Sequence, residues 1–152
     1  MKIQIDNLES IEVKQLLLEH HEDMLKHSPP ESVHALDLSS LKTPDVTFWT
    51  AWINGELAGC GALKKLNEKH GELKSMRTSQ SFLRKGVAAK LLTHILEAAK
   101  AQSIVKVSLE TGTMKAFSPA QELYKNFGFE VCQPFSNYQE DPYSMFLTKA
   151  IG

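Results

Sequence analysis

With 152 residues, 42% of them hydrophobic and 23% charged, the chain has the composition of one globular domain around one core, without any tract biased enough for disorder or low complexity. Its first residues, MKIQIDNLES, lack the apolar core of a signal peptide, and no stretch approaches the roughly 18 uninterrupted apolar residues of a membrane-spanning helix, so a cytoplasmic chain is expected. The net charge of -1 conceals an asymmetry: Lys64 to Lys90 holds eight Lys/Arg against Glu68 and Glu72, a pattern that suits an anionic ligand better than a broadly basic nucleic-acid surface.

KIQI alternates as a first strand, and from about Glu9 to Lys26 the apolar positions Val13, Leu16, Leu17, Met24 and Leu25 recur at helical spacing. That helix carries His20, His21 and His27, but neighbouring side chains on a helix point about 100° apart, so no metal site is expected. HSPPESVHALDLSSLKTPD is rich in turn formers and reads as a surface loop or lid, with a short helical turn around Ser32 to Leu36. VTFWTAWINGELAGCGALKKL gives the clearest strand signal, two antiparallel strands joined at Asn54-Gly55, a pair suited to a tight hairpin turn. ELKSMRT continues them as the third member of a meander, with Leu73 and Ser75 alternating against Lys74 and Met76.

From Gly86 to Ala101 an apolar stripe of Val87, Leu91, Leu92, Ile95, Leu96, Ala98 and Ala99 opposes Lys90, His94, Glu97 and Lys100, which predicts an amphipathic helix laid on a sheet. IVKVSLE supplies a buried strand. SPAQELYKNFGF supplies another helix, with Ser118 as cap, Pro119 at the first helical position, Gln121 completing a capping box and Gly128 as terminator. FEVCQPF and SMFLTKAI close the chain as two strands. Cys60 and Cys132 sit in apolar, strand-like stretches without a CxxC pair and are read as buried free thiols.

The stretch LRKGVA places Leu83, Arg84, Lys85 and Gly86 where the amphipathic helix begins at Val87 and Ala88. A strand-to-helix turn exposes unpaired backbone N–H groups, and glycine lets a bulky phosphate approach them, with the two cations adding charge. The plain alternative is that Gly86 relieves a tight turn and the cations are solvated. The pattern is neither a Walker loop nor a dinucleotide fingerprint, since it lacks their further glycines.

On these residues the chain resembles the GNAT superfamily of N-acetyltransferases, whose pyrophosphate loop reads Gln/Arg-x-x-Gly-x-Gly/Ala. Gly86 and Ala88 match it, with Leu83 at the first position, and LYKNFGF is similar to the family's Leu-Tyr-x-x-x-Gly-Phe segment. The resemblance covers roughly residues 50 to 130, and the first fifty by element order alone. It implies an α/β fold with a mixed, mostly antiparallel sheet of about seven strands, splayed into a V between strands 4 and 5, and about four helices.

The resemblance further implies that acetyl-CoA is the cosubstrate, with no metal. Backbone amides of Met76, Arg77 and Thr78 would meet the pantetheine arm and the thioester oxygen, and those from Leu83 through Val87 to Ala88 the pyrophosphate. Tyr124 occupies the position of the family's frequent general acid, or else only packs its helix. Glu72, fourteen residues before Gly86, stands where many members carry a glutamate base, or else is structural. Phe117 stands where relatives have an asparagine on the pantetheine arm, which leaves that contact to Ser118 or a main-chain group, or removes it.

The implied reaction is direct attack by a primary amine of a small molecule or peptide on the thioester, within a ternary complex and without an acetyl-enzyme. The acceptor site would draw on the Ser28 to Asp45 loop, the Glu110 to Thr113 turn and SNYQEDPY, with Arg77, His34, Asp37, Tyr138 and Tyr143 as selecting residues. Glu110 and Thr111, near the mouth of the V, either meet the acceptor or end their strand and turn, the latter being the expectation. A non-catalytic acyl-CoA sensor or partner-binding module of the same fold is the main alternative, and an unrelated nucleotide- or phosphate-binding enzyme a third. No nucleic acid or membrane is implied as partner, and a homodimer is admitted.

Overall fold

The computed structural model describes residues 1–32 and 38–152. In chain order these form β1 (Lys2–Ile5), α1 (Ile11–His27), β2 (Val46–Ile53), β3 (Glu56–Lys65), β4 (His70–Thr78), α2 (Val87–Ala101), β5 (Lys106–Gly112), α3 (Ser118–Asn126), β6 (Glu130–Val131) and β7 (Ser144–Ala150). Short 3-10 turns lie at Pro30–Ser32, Leu38–Leu41, Gln80–Phe82 and Lys115–Phe117. The turn expected around Ser32 to Leu36 falls, beyond Ser32, outside the described residues. Among the described residues no helix is long and apolar enough to cross a membrane.

One sheet of seven strands runs in the order β1-β2-β3-β4-β5-β7-β6. The Asn54-Gly55 hairpin closes as expected, with φ of 51° and 81° in its two turn residues and Ile53 opposite Glu56. Only β4 and β5 pair in parallel, and they do so over four residues, from His70 opposite Lys106 to Leu73 opposite Leu109. Beyond that point β4 stays with β3 and β5 stays with β7, so the sheet opens into a V between the two central strands.

Each face of the sheet carries its own core. α1 is capped by the Ser10 hydroxyl, which accepts the Val13 N–H at 3.3 Å, and it buries Val13, Leu16 and Leu17 against Phe48, Cys60 and Ala62. α2 lays Val87, Leu91, Leu92, Ile95, Leu96 and Ala99 on the other face, against Leu63, Leu73, Val107 and Leu109. Burying a side chain of this size contributes about 1.5–3 kcal/mol, so the α2 stripe alone anchors the loop that precedes it.

Four local expectations are corrected. In β4 the simple alternation fails: a register shift sets Lys74 opposite Ala62 but Arg77 opposite Cys60, and Ser75 takes a φ of 56°. This bulge turns Met76 onto the α2 face beside Leu73, leaving Lys74 and Arg77 together on the α1 face. Glu110 and Thr111 do not end their strand, because Phe146 and Met145 of β7 keep pairing with them out to Gly112.

The capping box on α3 is absent, since the helix already includes Ser118 and Phe117 holds the cap position without a side-chain bond. Gln121 instead donates its amide to the Gly112 carbonyl at 2.7 Å, tying α3 to the end of β5. Cys60 is fully buried, but Cys132, just past the two-residue β6, is only half-buried.

Candidate active site

The loop between β4 and α2 is built to leave main-chain donors open. Phe82, 9% exposed, anchors its first turn and Val87, 1% exposed, anchors the helix, while Leu83, Arg84, Lys85 and Gly86 between them are exposed. Arg84 and Gly86 both have left-handed backbones, φ 63° and 77°, and no side chain caps the start of α2. The first N–H groups of a helix have no intrahelical partner, and here nothing lies within 4 Å of where a Gly86 side chain would start. The Lys85 ammonium sits 5.4 Å from the Phe82 ring centroid. An open set of N–H groups, the positive end of a helix and two exposed cations are the features that favour an anion at a helix start. Ala88 follows half-buried in the first helical turn.

The chain enters this loop from the end of β4. From Lys74 to Thr78, which includes Met76, Arg77 and Thr78, β4 has no strand partner on its β5 side. Across the gap, the Phe117 ring seats on Gly112, where an added side-chain atom would fall 2.3 Å from it. The same ring meets His27 at 6.2 Å, edge on, so Phe117 reaches from the end of β5 to the end of α1. Ser118 follows half-buried as the first residue of α3.

Tyr124 lies on the α2 side of the sheet, 6% exposed, with its ring edge on Phe129 at 5.8 Å. Its position is fixed from behind: Gly128, φ 94°, ends α3 with its N–H on the Lys125 carbonyl, and the Phe129 N–H returns to the Tyr124 carbonyl at 3.0 Å. Burial pushes the Tyr124 phenol well above its ordinary pKa, so the hydroxyl stays protonated.

Glu72 lies on the opposite face, opposite Lys64 of β3 and Ser108 of β5, and is 4% exposed. The Tyr138 hydroxyl, from the connection between β6 and β7, donates to Glu72 Oε2 at 2.6 Å. Phe135 and Phe146 flank Tyr138 at ring distances of 5.2 and 5.8 Å, closing an aromatic cover over the carboxylate. Burial and then the bond to Glu72 push the Tyr138 pKa up, so it acts as a fixed donor. Beside the pair, His70 Nε2 lies 2.7 Å from Ser108 Oγ, which lies 2.9 Å from Thr148 Oγ1, a polar chain across β4, β5 and β7.

Arg77 projects on the same face as Glu72 and reaches α1, where its Nη1 meets Asp23 Oδ2 at 2.7 Å. That guanidinium holds the Asp23 carboxyl below its usual range. His20, one helical turn earlier, has its pKa lowered to about 4 by burial and then by the Arg77 charge. Above them the Ser32 hydroxyl donates to Asp141 Oδ1 at 3.0 Å, as does the Tyr143 N–H at 2.8 Å, so the segment after α1 meets the β6–β7 connection. Among the suggested selecting residues, His34 and Asp37 lie outside the described residues. Asp23 escaped the sequence reading, as did the surroundings of His20, because only the fold brings α1 against β4.

The family model described as "Acetyltransferase (GNAT) family" matches residues 11–129. The chain is 54% identical to the uncharacterized N-acetyltransferase YsnE of Bacillus subtilis over 99% of this chain and 100% of that one. Among solved structures it is similar to a Klebsiella pneumoniae protein assigned as an acyl-CoA N-acyltransferase, at a TM-score of 0.82 and 26% identity, covering 99% of this chain and 97% of that one. The fold is also that of a GNAT family acetyltransferase from Elizabethkingia anophelis with acetyl-CoA bound, at a TM-score of 0.71 and 19% identity, covering 98% and 97% of the two chains.

Proposed function

The chain belongs to the acetyltransferase (GNAT) family, and from that premise we propose that it transfers an acetyl group from acetyl-CoA to a primary amine by direct attack within a ternary complex. The observation that carries this reading is the uncapped N-terminus of α2 at exposed Gly86, which follows in the chain on the part of β4 that has no β5 partner. The residues present suit the cosubstrate. N–H groups from Leu83 to Ala88 hold its diphosphate, Arg84 and Lys85 balance the charge, and main-chain groups of Met76, Arg77 and Thr78 take the arm and the thioester oxygen. Phe117 gives the mouth of the V an apolar wall, and Ser118 supplies the hydroxyl beside it.

In the reaction, the bound thioester supplies the activated acyl group and this chain manages two protons. The acceptor arrives mainly as ammonium, and Glu72 takes one proton from it, directly or through water. The amine nitrogen then bonds to the acyl carbon, the carbon–sulfur bond breaks, and Tyr124 gives its phenolic proton to the departing thiolate. The second proton, shed by the new amide nitrogen, passes through water to restore the phenol. A thiol relay is disfavoured, because burial pushes the Cys60 thiol up to about 12 and leaves little thiolate to attack.

Two free cysteines suit a reducing compartment, and residues 1–152 are taken as one catalytic unit working in the cytoplasm. A second reading, an acyl-CoA-binding module without turnover, is favoured by the Tyr138 hydroxyl already occupying Glu72. An acceptor screen with free-thiol detection separates the two: amine-dependent thiol release supports transfer, and acetyl-CoA binding without release across the panel supports the module.

A further inference from the structure

Among the described residues, two buried side-chain nitrogens have no hydrogen-bond partner, His20 Nδ1 and Arg77 Nε. Folded chains pair such groups nearly always, so each unpaired one calls for a reason. These two share one place: Arg77 is bonded to Asp23, three residues beyond His20 on α1, and its charge is felt by His20.

Asp23 takes the guanidinium at Nη1 and fixes its plane. The fork made by Nε with Nη2 is the edge that grips a planar carboxylate through two parallel N–H···O bonds. Arg77 Nε is itself buried while the side chain as a whole keeps 15% exposure, so the fork lies just beneath the surface of the α1 face. His20 is neutral and offers a nitrogen without adding charge. Arg77 and Asp23 cancel, so a carboxylate that travels with its own ammonium leaves the local charge balanced, whereas a dianion does not.

The direction of such a ligand follows from the bulge in β4. Arg77 stands five positions after Glu72, an odd spacing that puts side chains on opposite faces of a regular strand. The extra residue at Ser75 cancels this. Glu72 faces with Lys64 and Arg77 with Cys60, alternate members of one β3 face.

Resting on the transferase reading of the same cleft, we propose that Arg77, oriented by Asp23 and assisted by His20, is the subsite for a carboxylate on the acceptor, which is therefore an amino acid or a similar amine bearing a carboxylate, its amine turned towards Glu72.

The test compares α-amino acids with their decarboxylated amines. In thiol-release assays the wild-type kcat/KM is expected to be at least tenfold higher for the carboxylate-bearing member of each pair. Arg77→Gln should collapse that ratio towards one, and Arg77→Lys, a point charge that cannot fork, should leave an intermediate ratio. Equal wild-type rates within the pairs, or a ratio that survives Arg77→Gln, overturns the proposal.

A second arm needs no turnover: calorimetry of the wild-type protein with N-acetyl amino acids against the matched N-acetyl amines. Selective binding of the acids without thiol release for any amine supports the subsite and removes the transferase reading. Thiol release with no discrimination in either arm does the reverse.

Discussion

Gly86 and Gly55 make a matched pair on which the anion cradle can be tested. Their φ values are 77° and 81°, and neither has a neighbour within 4 Å of an added side-chain atom. Alanine at either site therefore meets the same backbone penalty and no steric one. A left-handed L-residue costs roughly 1–2 kcal/mol. In a chain of this length each kcal/mol moves the melting midpoint by about 2–4 °C, so Gly86→Ala and Gly55→Ala should each lower Tm by about 2–8 °C. The two should part company in ligand binding. Gly55 lies at the tip of the β2–β3 hairpin, and its substitution should leave the acetyl-CoA Kd unchanged. Gly86→Ala adds a methyl to the open side of the loop where a diphosphate would approach, and calorimetry should show Kd rising tenfold or more, a loss of at least about 1.4 kcal/mol. Equal acetyl-CoA affinities in the two variants, with equal losses in Tm, would refute the argument that donors around Gly86 hold the diphosphate.

Tyr124→Phe should lower kcat by about 10–100-fold with little change in acetyl-CoA affinity; unchanged turnover would remove Tyr124 as the proton donor. Glu72→Gln should lower kcat/KM at neutral pH at least tenfold, and unchanged turnover would dismiss Glu72 as the base.

Stability should also depend on His20. Its folded pKa of about 4 lies below the ordinary histidine value of 6.5, so between those values the unfolded chain holds the extra proton and stability falls as pH is lowered. At about 1.4 kcal/mol per unit the full loss is about 3 kcal/mol, and His20→Gln should flatten it in urea titrations from pH 7 to 4.5. Asp23 does not confound the window: its pKa is held below 3.8, and its contribution is lost only as pH falls through that lower value.

What could be read from the sequence was what neighbours in the chain decide. The Asn54-Gly55 turn, the α2 stripe and the Gly128 terminator are local signals, and each formed where its residues specify. The β4 bulge was hidden because it depends on α2: a side chain at Gly61 would fall 2.5 Å from the Met76 sulfur and 2.8 Å from Ile95. The reach of β5 was hidden because β7 sets it, more than thirty residues on. Gln121 was read as a helix cap because the Gly112 carbonyl, its actual partner, is brought close only by the turn at Lys115–Phe117.

The candidate site divides in the same way. Gly86 and its cations were legible as a motif, and Tyr124 and Glu72 as positions in a resemblance. The partner of Glu72 was not, since Tyr138 stands 66 residues away and no pattern links them. His20 was weighed as a metal ligand and set aside on helical pitch, whereas its surroundings come from Arg77 across an interface between elements.

The brevity of the β4–β5 seam has a mechanical consequence. Two plates share one short edge and are clamped together on one face by the α2 core, so their open end is where the fewest bonds hold them. Anything wedged between the plates and bonded to both welds the joint, and occupancy should be felt as stiffening in amides far from any direct contact.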